Sequence, residues 1–151
     1  TLTVLQPEQT ATPQNTTSQD TDIIRQELIE RINRVRRENG VSELNVNQAL
    51  MDAAQHCSSL HVTYHQNKVE CEAVASAGYP HGFGSNITAF TSVPSSQIAQ
   101  RAVENWINSP GHFQTMIDPA CDSIGVGITD DGRGTVCFMF VGNPSAINPY
   151  A

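Results

Sequence analysis

The sequence predicts an α+β fold in which several helices precede an antiparallel pair of strands. Apolar residues recur at helical spacing through the first two thirds of the chain. The last third instead holds two short apolar runs, 123–129 and 135–141, on either side of the sequence Asp130-Asp-Gly-Arg-Gly134. Two such runs around a turn sequence are typical of a β-hairpin. Helices followed by a hairpin favour α+β over a doubly wound parallel sheet.

Three amphipathic helices are predicted from the helical spacing. The first covers residues 22–39, where aliphatic side chains share one helical face and Gly40 provides the stop. The second begins after Asn47, a favourable capping residue, and is expected to end near His65. The third ends at Pro110, because proline cannot continue a helix.

Glycine positions indicate where the chain turns and where elements pack closely. Residues 70–77 are expected to form a short helical piece, followed by an irregular loop over 78–84 and an extended segment over 87–93. Gly125 and Gly127 alternate along the first hairpin strand, so one face of that strand lacks side chains. We expect a helix, rather than a ligand, to lie against that face.

Length and composition limit the number of domains and the classes of partner. The 151 residues suffice for one domain and are too few for two ordinary ones. Residues 1–20 are rich in Thr and Gln and are predicted to form a flexible tether, which leaves 21–151 for the domain. A net charge of -7 argues against nucleic acid as a partner. No run reaches the ~20 apolar residues that a transmembrane segment needs.

The first predicted helix carries most of the basic residues of the chain. Glutamates are interleaved with its arginines, which favours a solvated, salt-bridged helix face over an anion-binding patch. The arginines are Arg25, Arg31, Arg34, Arg36 and Arg37.

The four cysteines lack C-x-x-C spacing, which argues against a thioredoxin-type redox site and a zinc ribbon. An even set is typical of disulfides in an exported protein, and a chain that begins with Thr1 rather than Met resembles a processed product. Of the three possible connectivities we favour the two short loops, Cys57 with Cys71 and Cys121 with Cys137. The alternative is four buried thiols in a cytosolic protein.

The histidines provide candidate chemistry, but the common hydrolase motifs are absent from the sequence. His61 and His65 are four residues apart, which would place both imidazoles on one face of the second helix, close enough for one metal ion. Their segment lacks the glutamate that a zinc protease needs. Ser85 is not in a Gly-x-Ser-x-Gly elbow, and no Asp is placed to orient His65 or His112. No catalytic residue is therefore assigned.

The segment from Trp106 to Ile117 contains Ser-Pro-Gly-His, ending at His112, and leads into the hairpin. It resembles the central signature of the CAP superfamily (cysteine-rich secretory proteins, antigen 5 and pathogenesis-related 1) in its short bacterial form. The resemblance extends over about residues 23–141. Its other matches are the first-helix sequence from Ile32 to Gly40 followed by Leu44, Ala53-Ala54, Tyr64-His65-Gln66-Asn67, Gly78-Tyr79, and Gly84-Ser85-Asn86-Ile87, which is similar to the family's Gly-Glu-Asn-Ile.

This resemblance implies an α-β-α sandwich, with a small central antiparallel sheet flanked by helices and a cleft lined by two histidines and two acidic residues. His65 and His112 match the two histidines. Ser85 replaces the glutamate of the strand, and Ser109 stands where animal and plant members carry the second acid. The cleft is therefore expected to be lined by His65, Ser85, Asn86 and His112, without either carboxylate.

The implied function is a secreted or cell-surface module that binds a small apolar ligand, a peptide or a cell-envelope component without catalysis. No cofactor is required. A divalent metal such as zinc would bind His65 and His112 only weakly, because the acidic companions are missing. One alternative is a metal-assisted peptidase or esterase that uses the same two histidines. Another is a structural module with a vestigial cleft.

Overall fold

The computed structural model of the protein describes residues 18–151, so nearly all of the predicted tether at 1–20 lies outside the described residues. None of the helices within 18–151 is long and apolar enough to cross a membrane. The elements are, in order, α1 (Ser18–Glu38), β1 (Asn45–Val46), α2 (Gln48–Ser59), α3 (Asn67–Ala77), β2 (Gly82–Phe90), α4 (Ser95–Ile107), α5 (Pro110–Met116), β3 (Ser123–Asp130) and β4 (Thr135–Asn143).

The strands form one mixed sheet in the order β1-β3-β4-β2. β2, β4 and β3 are antiparallel neighbours, whereas the two-residue β1 runs parallel to β3. The predicted α+β class and the sheet flanked by helices are confirmed, and β1 is a parallel addition to the expected antiparallel sheet. The predicted hairpin is also confirmed, with Asp130 and Thr135 as the last pair before the turn.

Each face of the sheet has its own apolar core. On one face, α1 and α4 pack with Met139 and Val141 of β4. On the other face, α2 and α3 pack with Val136 and Phe138 of the same strand. Successive side chains of a strand point to opposite faces. Because β4 is covered on both faces, its sequence is a continuous apolar run rather than an alternating one.

Gly125 and Gly127 of β3 lie directly against α2. A Cβ atom at Gly125 would be 2.1 Å from the carbonyl carbon of Leu50, and one at Gly127 would be 2.2 Å from the carbonyl oxygen of Ala54. Both distances are far shorter than van der Waals contact, so only glycine permits this approach. The expectation that a helix packs against this face is confirmed.

α2 ends at Ser59, well before the predicted end near His65. His61 takes the left-handed conformation (φ 54°) that often follows a helix. The β-branched and aromatic residues 62–64 have low helix propensity and do not resume it. The prediction that His61 and His65 share a helical face is therefore wrong. Nε2 of His61 lies 3.6 Å from Oδ2 of Asp131, whereas His65 contacts α3.

Arg36 does not belong to the predicted solvated face of α1. Its side chain is fully buried and donates hydrogen bonds to backbone carbonyls before β1, at the last residue of α5 and in the loop after it. By contrast, Arg31 forms the expected surface pair with Glu27. Arg36 thus ties the end of α1 to the end of α5. Its acceptors are the carbonyl oxygens of Ser42, Met116, Asp118 and Cys121.

The structure shows neither of the predicted disulfides, because all four cysteines are free thiols. Sγ of Cys121 lies 3.8 Å from the carbonyl oxygen of Val141. Val141 is four residues from Cys137 on β4, about 13 Å along a strand, so the two sulfur atoms do not meet. The thiol of Cys71 is directed to Oδ1 of Asn67 on its own helix, at 3.7 Å. Cys57, its predicted partner, is buried in the core between α2, α3 and the sheet.

Candidate functional site

A buried carboxylate joins three elements beside β2. Glu70 lies in the first turn of α3 and is 5% exposed. Its Oε2 is 2.8 Å from Nδ1 of His65, which lies in the loop between α2 and α3. Its Oε1 accepts a hydrogen bond of 2.6 Å from Oγ of Ser85 on β2. His65, Glu70 and Ser85 form one hydrogen-bonded group, called here the Glu70 cluster.

The Glu70 cluster overturns the expectation of a cleft without acidic residues. The family pattern places its two acids at the positions of Ser85 and Ser109, and neither position lies on α3. The signal that could have found Glu70 is helical periodicity. Glu70 and Val74 are four residues apart and both are buried, so they share the inner face of α3. A carboxylate on such a face requires hydrogen-bond partners, and His65 and Ser85 supply them.

His112 belongs to a second group of side chains, in the first turn of α5. Its Nδ1 is 2.8 Å from Oγ of Ser109, the residue that precedes this helix. Its backbone carbonyl accepts a hydrogen bond of 2.9 Å from Nδ2 of Asn86. Asn86 is fully buried, and its Oδ1 has no hydrogen-bond partner among residues 18–151. Pro110 occupies the start of α5, where its missing N–H costs nothing, and so fixes where His112 lies.

β2 connects the two groups. Neighbouring residues of a strand point to opposite faces, so Ser85 reaches the Glu70 cluster on one side while Asn86 reaches α5 on the other. β2 lies at the edge of the described sheet, which allows the groups to approach each other around that edge. Burial lowers the pKa of His112, and the charge of His65 lowers it further. His112 is therefore neutral at pH 7, and the two imidazoles interact electrostatically.

A cavity of about 390 Å³ opens beside the Glu70 cluster. All three residues of the cluster line it, together with Phe83 of β2 and the C-terminal residues 147–149. This volume is typical of small-ligand sites. Two further cavities, of about 400 and 440 Å³, lie near the β3–β4 turn and between α2 and α3. Neither includes His65. His112 and Asn86 line none of these three cavities, so the cavity beside the Glu70 cluster contains only part of the predicted cleft.

A match to a known protein family covers most of the elements that build this site. A family model described as the cysteine-rich secretory protein family, CAP, matches residues 29–143. The chain belongs to the CAP family. The match runs from α1 to the end of β4 and includes the Glu70 cluster and His112. Among curated protein sequences, none matches this chain.

Solved structures share the fold of this CAP domain at low sequence identity. An outer surface protein from Borrelia burgdorferi matches with a TM-score of 0.63 and 15% identity, over 83% of this chain and 93% of that one. An extracellular SCP-domain protein from Bacillus anthracis gives a TM-score of 0.67 and 19% identity, over 88% of this chain and 45% of that one. NaASP2, whose crystal structure was solved with Zn²⁺, gives a TM-score of 0.66 and 13% identity, over 87% of this chain and 84% of that one. At these identities the likeness shows the fold alone.

His65 and His112 are the two candidate metal ligands that the sequence predicts in this CAP domain. Within residues 18–151, no group of three or more His, Cys, Asp or Glu side chains is arranged to hold a metal. Nδ1 of His65 is bonded to Glu70 and Nδ1 of His112 to Ser109, which leaves one ring nitrogen on each. These residues do not make up the three-ligand set of a zinc enzyme.

Proposed function

We propose that this CAP domain is an extracellular, non-enzymatic binding module whose ligand is held beside the Glu70 cluster. The observation that carries the proposal is the cluster itself. Glu70 fixes His65 and Ser85 in the wall of a cavity large enough for a small ligand. Polar groups that are already ordered reduce the entropic cost of binding. The relatives named as an outer surface protein and an extracellular protein support the location.

The position of Ser85 argues against a serine hydrolase. In a catalytic triad, the acid bonds one imidazole nitrogen and the nucleophile bonds the other. Here Glu70 and Ser85 both approach Nδ1 of His65, at 2.8 and 3.2 Å. The Ser85 hydroxyl donates its proton to Glu70, so it cannot pass that proton to the ring. Ser85 therefore positions the carboxylate and is not a nucleophile.

The ligand is expected to present a polar group to Nε2 of His65, the ring nitrogen that Glu70 does not contact. A ligand that also extends around β2 would meet the neutral imidazole of His112, which can take part in one further hydrogen bond. A small apolar ligand, a peptide or a cell-envelope component satisfies this requirement if it carries such a group. A divalent metal would find only the same two nitrogens, so its binding would be weak.

The Glu70→Gln variant tests the proposal with a library of small polar fragments as probes. In the wild-type protein, fragments that bind beside the Glu70 cluster should shift the NMR signals of the His65 ring, which lines the cavity. In Glu70→Gln the same fragments should bind more weakly, because the amide oxygen of Gln can accept from only one of His65 and Ser85. Glu72→Gln is the matched control, since Glu72 pairs with Lys68 on the same helix outside the cluster. Fragments that bind equally well to Glu70→Gln would contradict the proposal.

A metal-assisted peptidase or esterase that uses His65 and His112 is the alternative. It is favoured by the neutral His112 ring, whose Nδ1 is 2.8 Å from the Ser109 hydroxyl, and by the Zn²⁺ in the NaASP2 structure. Chelator-treated protein should be assayed on peptide and ester substrates with and without added zinc. We expect no turnover in either case. Zinc-dependent turnover that disappears in His112→Ala would establish the alternative.

A further inference from the structure

The last residues of the chain form one wall of the ligand cavity. They follow β4 and lie beyond the residues 29–143 that the family model matches. Ile147, Asn148 and Pro149, called here the C-terminal wall, line the same cavity as His65. The wall is therefore a feature of this chain that the family pattern does not specify.

Hydrogen bonds fix the C-terminal wall on both sides of Ile147. Before it, the carbonyl of Ala146 accepts a bond of 2.9 Å from the N–H of Gly82 on β2. After it, Asn148 is 4% exposed and donates Nδ2 to the carbonyl of Cys71 at 2.9 Å. A Cβ atom at Gly82 would lie 2.6 Å from Cβ of Ala146, so glycine is what lets this segment approach β2. The wall is therefore fixed against β2 and α3.

Although the backbone around Ile147 is fixed, folding scarcely buries its side chain. Its side chain is 87% exposed, the highest fraction among the large apolar side chains that the structure describes. Removing an aliphatic side chain from water lowers the free energy, and no other part of the described chain covers Ile147 in this way. The result is an apolar surface held next to the polar Glu70 cluster, in one cavity of about 390 Å³.

We propose that Ile147 is a specificity-determining residue and that the ligand of the cleft is a short peptide with an aliphatic side chain. A peptide carries polar backbone groups beside its side chains, which matches a cavity lined by both His65 and Ile147. Its backbone would contact the Glu70 cluster while its side chain covers Ile147. This inference rests on the proposed binding function and adds a ligand class to it.

Two blocked dipeptides that differ in one side chain provide the test: acetyl-glycyl-leucine amide and acetyl-glycyl-serine amide. Each is titrated into the full chain and followed by NMR. The wild-type protein should bind the leucine peptide about tenfold more tightly than the serine peptide. Ile147→Ser should lose this preference. Ile23→Ser makes the same change at an isoleucine of α1 that is 54% exposed, and should keep it.

The outcomes separate this inference from the proposed function. A leucine preference that persists in Ile147→Ser, or a wild-type protein that binds neither peptide, overturns the inference. If the leucine preference persists in Ile147→Ser but Glu70→Gln still weakens binding, the proposed binding function stands and only the role of Ile147 is wrong. If Glu70→Gln binds both peptides as the wild-type protein does, the proposed function fails together with the inference. Unchanged thermal unfolding of Ile147→Ser confirms that its fold is intact.

Discussion

Glu70 sets the orientation of the His65 ring without having to contact a ligand. A buried carboxylate is costly unless its oxygens are hydrogen-bonded, and here one oxygen contacts His65 while the other accepts from Ser85. The same contacts direct Nδ1 of His65 toward the protein and leave Nε2 for other partners. A histidine fixed through one nitrogen presents the other in a defined direction. The carboxylate thus acts on binding through His65.

The lowered pKa of His112 makes the stability of the fold depend on pH. Because this pKa lies below the usual value of 6.5, the unfolded chain takes up the proton more readily than the folded one. The free energy of unfolding should therefore decrease as the pH falls below about 6.5. We expect His112→Gln to make that decrease smaller, as measured by urea unfolding at a series of pH values.

The control for this prediction is His56→Gln, which changes an exposed histidine of α2. Its stability should keep the wild-type dependence on pH. If His112→Gln and the wild-type protein lose stability equally as the pH falls, the buried, neutral state of His112 is contradicted.

At the scale of single residues, the sequence points to His65, Ser85, Asn86 and His112 but not to Glu70. His65 and Ser85 lie in the Glu70 cluster, while Asn86 contacts His112. The family pattern directed the search for a carboxylate to the strand. In this chain the carboxylate belongs to Glu70 of α3, which precedes Ser85 by 15 positions in the sequence and contacts it in the fold. No local spacing reports which helical residue reaches a given strand residue.

The contact between α2 and β3 is the element-scale feature most sensitive to substitution. At Gly127 an added Cβ would lie 2.2 Å from the backbone of Ala54, so the helix must move away from the sheet. We expect Gly127→Ala to lower the free energy of unfolding by about 3 kcal/mol. Gly111→Ala is the control, because a Cβ at Gly111 meets nothing within 4 Å. Equal stabilities for the two variants in urea unfolding would show that this contact is not tight.

The predicted boundaries of the elements agree with the structure where the sequence signal is local and differ where the boundary depends on packing. The hairpin was predicted well because its turn sequence and its apolar runs are local. The predicted end of α2 is too late, because His61 and Tyr64 continue the helical spacing although the chain leaves the helix before them. Nε2 of His61 instead lies near Asp131, which belongs to the distant β3–β4 turn. Such contacts arise only when the elements pack.

For the molecule as a whole, all four cysteine thiols are buried, three of them in the two cores and Cys71 in the wall of the cavity. Burial raises the pKa of Cys57, Cys121 and Cys137 to about 12 and also raises that of Cys71. Reaction requires the thiolate, so the folded protein should not react with a chromogenic thiol reagent. Unfolding in guanidinium without reductant should expose four reactive thiols. Fewer than four would indicate that the disulfides expected from the sequence do form.

His65 and His112 lie on elements that pack on opposite faces of the sheet, and they share a cleft only if they meet around β2. The pKa of His112, followed by NMR, measures their interaction directly. In His65→Gln this pKa should rise, because a positive charge is removed, yet it should stay below 6.5 because burial is the larger cause of the shift. His56→Gln should leave it unchanged. A His112 pKa that is the same in His65→Gln and in the wild-type protein would place the two rings in separate sites and contradict a shared cleft.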